Sequence, residues 1–107
     1  ICYGFQLLVN YFDGNVQSSK KAEYGHANIN TKNTSHLFSN INTPSKVWMS
    51  HGDKVEILPS DWVSTSKSDN NIISSAESKS KQLYGVQFHP EVYHTEDGLK
   101  MIIGIIG

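Results

Sequence analysis

The chain has 107 residues, 37% of them hydrophobic and 18% charged, with a net charge of −1. That length suits one domain with a core of modest size, and the near-neutral charge argues against broad attraction to nucleic acid or membrane surfaces, which needs a positive field. The single cysteine can close no internal disulfide and build no cysteine zinc site, which fits a reducing cytosol.

From residue 3 to 13, apolar side chains fall at Phe5, Leu7, Leu8, Val9, Tyr11 and Phe12. Leu8, Tyr11 and Phe12 share helical spacing and Gly14 stands at a C-cap position, which predicts a buried helix starting just after Cys2. NVQ and then EYGHANINT read as extended. Residues 32–43 are rich in Asn, Thr and Ser, a solvated connection in which SHLFSNI makes one helical turn ended by Pro44. KVWMSHGD predicts a strand over 46–50 running into a turn at Gly52-Asp53. DKVEILPSD reads as a short helix or irregular piece stopped by Pro59. WVSTSKS, IISSAESK and QLYGVQFH are three β-type runs of a meander or hairpin, and the Ser/Asn/Lys-rich stretch 64–81 reads as polar surface.

DGLKMIIGIIG predicts a closing helix with Thr95 as N-cap, weakened at Gly104 by roughly 1 kcal/mol relative to alanine. Its apolar run is far short of the roughly 20 residues that span a bilayer. The order of elements suits an α/β sandwich without its first half. The first residue is not methionine and no signal peptide is evident, so the sequence reads as an internal fragment of a longer protein.

Cys2 lies two residues before Gly4, at the start of the predicted helix. A nucleophile elbow holds its residue on such a strand-to-helix turn, where nearby glycines remove Cβ clashes. The free N–H groups of the helix start favour a thiolate and can hold an oxyanion. The other reading of Cys2 is a buried structural cysteine. His89 and Glu91 are two apart in a β-type run, which sends both to one face, with Pro90 stiffening the backbone between them. A histidine can deprotonate a thiol and a carboxylate can orient the ring, but such a pair is also ordinary surface polarity. Ser50-His51-Gly52-Asp53 could grip a small zwitterion with backbone groups and the Asp53 carboxylate, or be a plain β-turn. His26, His36 and His94 lack metal-ligand spacing and read as solvated or capping residues; no metal site is expected.

Together, CYGFQ, VWMSHGDKV-x-x-LPSDW and YGVQFHPEVYHT, in that order, resemble the class I glutamine amidotransferase domain of the GMP synthetase family, and EYG at 23–25 also matches. The resemblance covers nearly the whole chain. It implies a flavodoxin-like α/β sandwich with a central mixed sheet, of which residues 1–107 would be the C-terminal half. It implies that Cys2 attacks the side-chain amide of glutamine, that His89 moves the proton and that Glu91 orients His89. It also implies that the Tyr3 N–H serves the oxyanion hole, and that Gln6, Ser50, His51, Gly52 and Asp53 bind the substrate. The ammonia would pass to an ATP-pyrophosphatase domain, fused or separate, that aminates XMP to GMP in the cytosol. ATP and magnesium would bind there and no cofactor here, and the full enzyme would be a homodimer.

Two departures are visible. The glycine-rich loop with the other oxyanion donor is absent from these residues, and so is any phosphate loop. The alternatives are an amidotransferase feeding an anthranilate, aminodeoxychorismate, CTP or carbamoyl-phosphate synthase, and a non-catalytic docking fragment. Exposed sheet edges are expected to leave the isolated piece poorly stable.

Overall fold

A computed structural model describes residues 1–31, 38, 41, 43–78 and 80–106, the side chains of residues 21 and 104–106 excepted. Helix α1 spans Tyr3–Tyr11 and helix α2 spans Gly98–Ile106. Between them come strands β1 (Asn15–Thr31), β2 (Ser45–Ile57), β3 (Trp62–Ser68), β4 (Ile73–Ser78) and β5 (Leu83–Val86). They form one five-stranded sheet in the order β2-β1-β3-β4-β5. All four pairings are antiparallel, so the parallel pairings of a mixed sheet are not among them. The fold class is the expected α/β one, with a helix at each end of the described chain.

The predicted helix and the three β-type runs fall where expected. The first long strand is longer than expected: NVQ and EYGHANINT join into 17 residues, with irregular register at the Asn15/Val16 and Ser18/Glu23 steps. The expected helical turn over SHLFSNI, with His36 in it, lies outside the described residues, except for Phe38 and Ile41, which are buried. The turn expected at Gly52-Asp53 and the irregular piece after it do not exist, because β2 continues to Ile57, paired with β1 across Asp53–Ser18 and Val55–Val16. At the end of α1 the positive φ is taken by Asp13, at 68°, and not by Gly14.

Two apolar clusters fill the interior. One joins Ile29, Phe38, Ile41, Val47, Met49, Val86, Phe88 and Met101, and so ties α2 to the sheet. The other joins Phe5 and Val9 of α1 to Val55, Trp62 and Ala76. The helix therefore buries Phe5 and Val9, one turn apart, while Tyr11 is 79% exposed. Phe5 packs so close to β5 that a Cβ on Gly85 would come within 2.2 Å of its ring. Full burial of one such side chain contributes on the order of 1.5–3 kcal/mol.

The Ser-rich stretch 64–81 is not simply polar surface. Thr65, Ser66, Ser74 and Ser75 are buried and exchange hydroxyl hydrogen bonds across β3 and β4, Thr65 to Ser75 at 2.6 Å. Small hydroxyls can enter a core because each finds a partner there. Beside them, Asp61 Oδ2 accepts from Ser78 at 2.6 Å, from Ser80, and from the Lys81 ammonium at 3.2 Å. The serine hydroxyls and the lysine charge hold this carboxyl well below the usual range. No helix among the described residues is long and apolar enough to cross a membrane.

Gly85→Ala is expected to destabilise the protein by about 1–3 kcal/mol, as overpacking does. Gly4→Ala, whose added Cβ meets nothing within 4 Å, should be near neutral. Chemical denaturation of both variants checks this; equal midpoints would contradict the packing of Phe5 on β5.

Candidate active site

Cys2 occupies the single position between Ile1 and α1, with φ 50° and ψ −109°. A non-glycine residue at positive φ costs of order 1–3 kcal/mol and persists only where its surroundings impose it. Here three backbone bonds do so. The Cys2 N–H donates to the Val86 carbonyl at 2.7 Å, the Gly4 N–H to Ile1 at 2.9 Å, and the Gln6 N–H to Cys2 at 3.2 Å. The turn leaves α1 without a side-chain cap. The positive end of the helix therefore lies beside the half-buried Cys2, with the Gly4 N–H spent on Ile1. Sγ lies 3.6 Å from the Ser50 carbonyl oxygen and 3.5 Å from Gln87 Nε2.

His89 and Glu91 do pair: Nδ1 is 2.9 Å from Glu91 Oε2. An ionised carboxylate accepts, so Nδ1 carries a hydrogen, and in the neutral form of the ring it is Nε2 that offers a lone pair. The pairing does not come from the pleat of a strand, because β5 ends at Val86. It comes from a loop pinned to β2. The His89 N–H donates to the Trp48 carbonyl at 3.0 Å. The Thr95 hydroxyl donates to the His89 carbonyl at 2.7 Å and accepts the Trp48 N–H at 3.0 Å. Thr95 thus locks this loop and is not the N-cap of α2. Gly98 completes the seat, since a Cβ there would come within 2.1 Å of the Pro90 carbonyl oxygen.

The sulfur reaches Ser50 and the histidine loop hangs from Trp48, two residues back along the same strand. At about 3.4 Å per residue, those two anchors lie about 7 Å apart.

The alternation of β2 decides the fate of the Ser50-His51-Gly52-Asp53 stretch. His51 points inward and is 4% exposed, opposite to its exposed neighbour Ser50, whereas Asp53, which alternation alone would put on the inner face with His51, is exposed. His51 Nε2 meets Glu23 Oε1 at 2.8 Å and Nδ1 meets the Asp53 carbonyl at 2.6 Å. Its ring is therefore spent inside the protein, with both nitrogens partnered. Asp53 enters the interior only through that carbonyl, which also accepts from Gln6 Nε2 at 3.2 Å. Gln6 Nε2 gives its other hydrogen to Gln87 Oε1 at 3.1 Å. Gly52 is half-buried near the Tyr24 hydroxyl. Burial pushes the Glu23 carboxyl up, but hydrogen bonds from His51, Ser68 and Asn70, with the His51 charge, outweigh it and leave the group below its ordinary value.

Sequence reasoning missed Gln87, Thr95 and the partnership of Glu23 with His51. Gln87 had a visible signal, a long amide set between Val86 and Phe88 in a run otherwise made for burial. His26 and His94 are not merely solvated or capping. His94 lies between Trp48 and Tyr93, with ring centroids 4.3 and 4.1 Å away, and His26 meets Trp48 edge-on at 5.2 Å.

Residues 1–105 match the family model described as glutamine amidotransferase class-I. The glutamine-hydrolyzing GMP synthase of Brachyspira hyodysenteriae is 42% identical over 102 residues, which cover 95% of this chain and 20% of that protein. That of Prochlorococcus marinus is 46% identical over 103 residues with the same coverage. The crystal structure of a candidate GMP synthase component from Thermoplasma acidophilum superposes with a TM-score of 0.94 at 28% identity, over 99% of this chain and 53% of that one. The chain thus spans about one fifth of the length of the two GMP synthases.

Glu23 titrates lower in the folded chain than its ordinary 4.5. Its contribution to stability is complete above that value and is lost as pH falls through the lower folded value. Acid melts of Glu23→Gln should show a flatter decline below about pH 4.5 than the unaltered protein; parallel declines would contradict the buried pair. Thr95→Val leaves the Trp48 N–H and the His89 carbonyl without their partner, and should cost about 1–3 kcal/mol in a denaturant melt.

Proposed function

The chain belongs to the class-I glutamine amidotransferase family, and on that premise we propose that it is the C-terminal half of the glutamine-hydrolysing domain of a GMP synthase. The observation that carries this reading is the shared anchoring on β2. A thiol at an uncapped helix start reaches Ser50, and a His89–Glu91 pair hangs from Trp48.

In this reading Cys2 is the nucleophile. His89 Nε2 takes the thiol proton, and Glu91 keeps the hydrogen on Nδ1 and steadies the imidazolium. The sulfur adds to the side-chain carbonyl carbon of glutamine, and the oxygen takes up the negative charge. The Tyr3 N–H meets that oxygen, a contact worth on the order of 3 kcal/mol in the transition state. The tetrahedral adduct collapses as His89 returns the proton to the amine. Ammonia leaves and a glutamyl thioester remains. Water, deprotonated by His89, then attacks the thioester, releasing glutamate and restoring the thiol.

Gln6 and the Ser50–Asp53 segment would hold the α-amino and α-carboxylate ends, Gln6 through Oε1 because both of its N–H bonds are spent. The second oxyanion donor and the ammonia-consuming chemistry would come from residues outside 1–107. There an ATP-pyrophosphatase domain, using ATP and magnesium, would aminate XMP to GMP in purine nucleotide synthesis. The glutamine-hydrolyzing GMP synthases named above support that choice of acceptor. The enzyme would act in the cytosol as a homodimer.

In the full-length protein, Cys2→Ala should lower glutamine-dependent GMP formation by more than about a thousandfold, the scale of losing a covalent nucleophile. The rate with ammonium salt should stay near normal. Normal use of glutamine by Cys2→Ala would overturn the nucleophile assignment. Glutamine hydrolysis that never aminates XMP would overturn the acceptor.

A further inference from the structure

The sulfur of Cys2 has two polar neighbours of opposite character. The Ser50 carbonyl oxygen, 3.6 Å away, can only accept. It suits a neutral thiol and repels a thiolate. Gln87 Nε2, 3.5 Å away, can only donate, and a donor strengthens its bond as the acceptor gains charge. Gln87 therefore supplies what Ser50 withholds once the proton has left.

The orientation of this amide is set by its surroundings. A glutamine side chain offers one accepting and one donating end. The accepting end of Gln87 is taken by Gln6 Nε2 at 3.1 Å, so the NH2 group is the end that faces the sulfur. Gln6 cannot turn away, because its other N–H is held by the Asp53 carbonyl, which His51 also grips. The main chain of Gln87 is fixed as well, its N–H donating to the Ser74 carbonyl at 2.8 Å. The residue is wholly buried at 0% exposure, so water does not compete for the amide. A fully buried glutamine is costly unless both ends are used, and here one of its two uses is the reacting atom.

We propose that Gln87 is a further catalytic residue of this site, donating its side-chain N–H to the sulfur of Cys2 whenever that sulfur carries negative charge, with Gln6 holding it in that orientation. The charge appears twice: when the thiol is deprotonated, and when the thioester breaks and the sulfur departs. No bond to Gln87 forms or breaks, and no proton leaves it. The assignment rests on Cys2 being the nucleophile.

The test uses the full-length protein carrying Gln87→Met, Gln87→Glu or Cys2→Ala. Two quantities are read at one pH: the rate of Cys2 alkylation by iodoacetamide, and the kcat and KM of glutamine hydrolysis. Gln87→Met removes the donor at nearly constant shape. Gln87→Glu keeps the acceptor for Gln6 but faces the sulfur with a carboxylate. Both should slow alkylation and lower kcat by about tenfold or more, with KM for glutamine within about threefold. Circular dichroism reports folding, and should Gln87→Met fail to fold, Gln87→Glu carries the test. Folded variants that match the unaltered protein within twofold in alkylation and kcat, while Cys2→Ala abolishes turnover, would overturn the role of Gln87 alone. Full turnover by Cys2→Ala would overturn the nucleophile and this inference together.

Discussion

One backbone hydrogen bond, from the Cys2 N–H to the Val86 carbonyl, joins the two ends of this chain's chemistry. It fastens the turn before α1 to the last residue of β5. Of the next three residues, Gln87 donates to the sulfur, Phe88 enters the core, and His89 is hung from Trp48 on β2. A strain of order 1–3 kcal/mol at Cys2 is tolerable because this span fixes the residue from outside. The thiol thus stands half-buried at a turn while its backbone is held by bonds from outside the turn.

The polar interior serves the same end. Glu23, His51, the Asp53 carbonyl, Gln6 and Gln87 make a continuous run of hydrogen bonds from β1 to the thiol. Removing one member would strand its neighbours, because water does not reach them and a buried orphan costs about 1–3 kcal/mol. Of the apolar clusters, one includes Met101 of α2 and the other Phe5 and Val9 of α1. The fold thus combines two small apolar cores with a polar run that ends at Cys2.

Much of this was legible in the residues. The helix after Cys2 follows from apolar side chains at helical spacing, and the short strands from β-type runs cut by polar turns. CYGFQ and YGVQFHPEV point to the same family as the fold does. What stayed hidden was set by long-range pairing. Gly52-Asp53 has the composition of a turn, yet β1 pairs with His51 on one side and with Asp53, Lys54 and Val55 on the other, and so carries the strand through it. His51 reads as a ligand-binding residue, but strand alternation sends it inward to a carboxylate 28 positions away. The serines of β3 and β4 read as surface, because nothing local shows that their hydroxyls will satisfy one another across two strands. Thr95 sits where an N-cap belongs, and its contacts with Trp48 and His89 exist only once the chain has folded back on itself.

The account turns on a covalent bond to one sulfur. Full-length protein turning over glutamine, quenched in acid and digested, can be examined by mass spectrometry for a trapped glutamyl group. The account predicts that group on the peptide carrying Cys2, bound as a thioester that neutral hydroxylamine removes. Steady turnover with the group on another peptide, or on none, would contradict it.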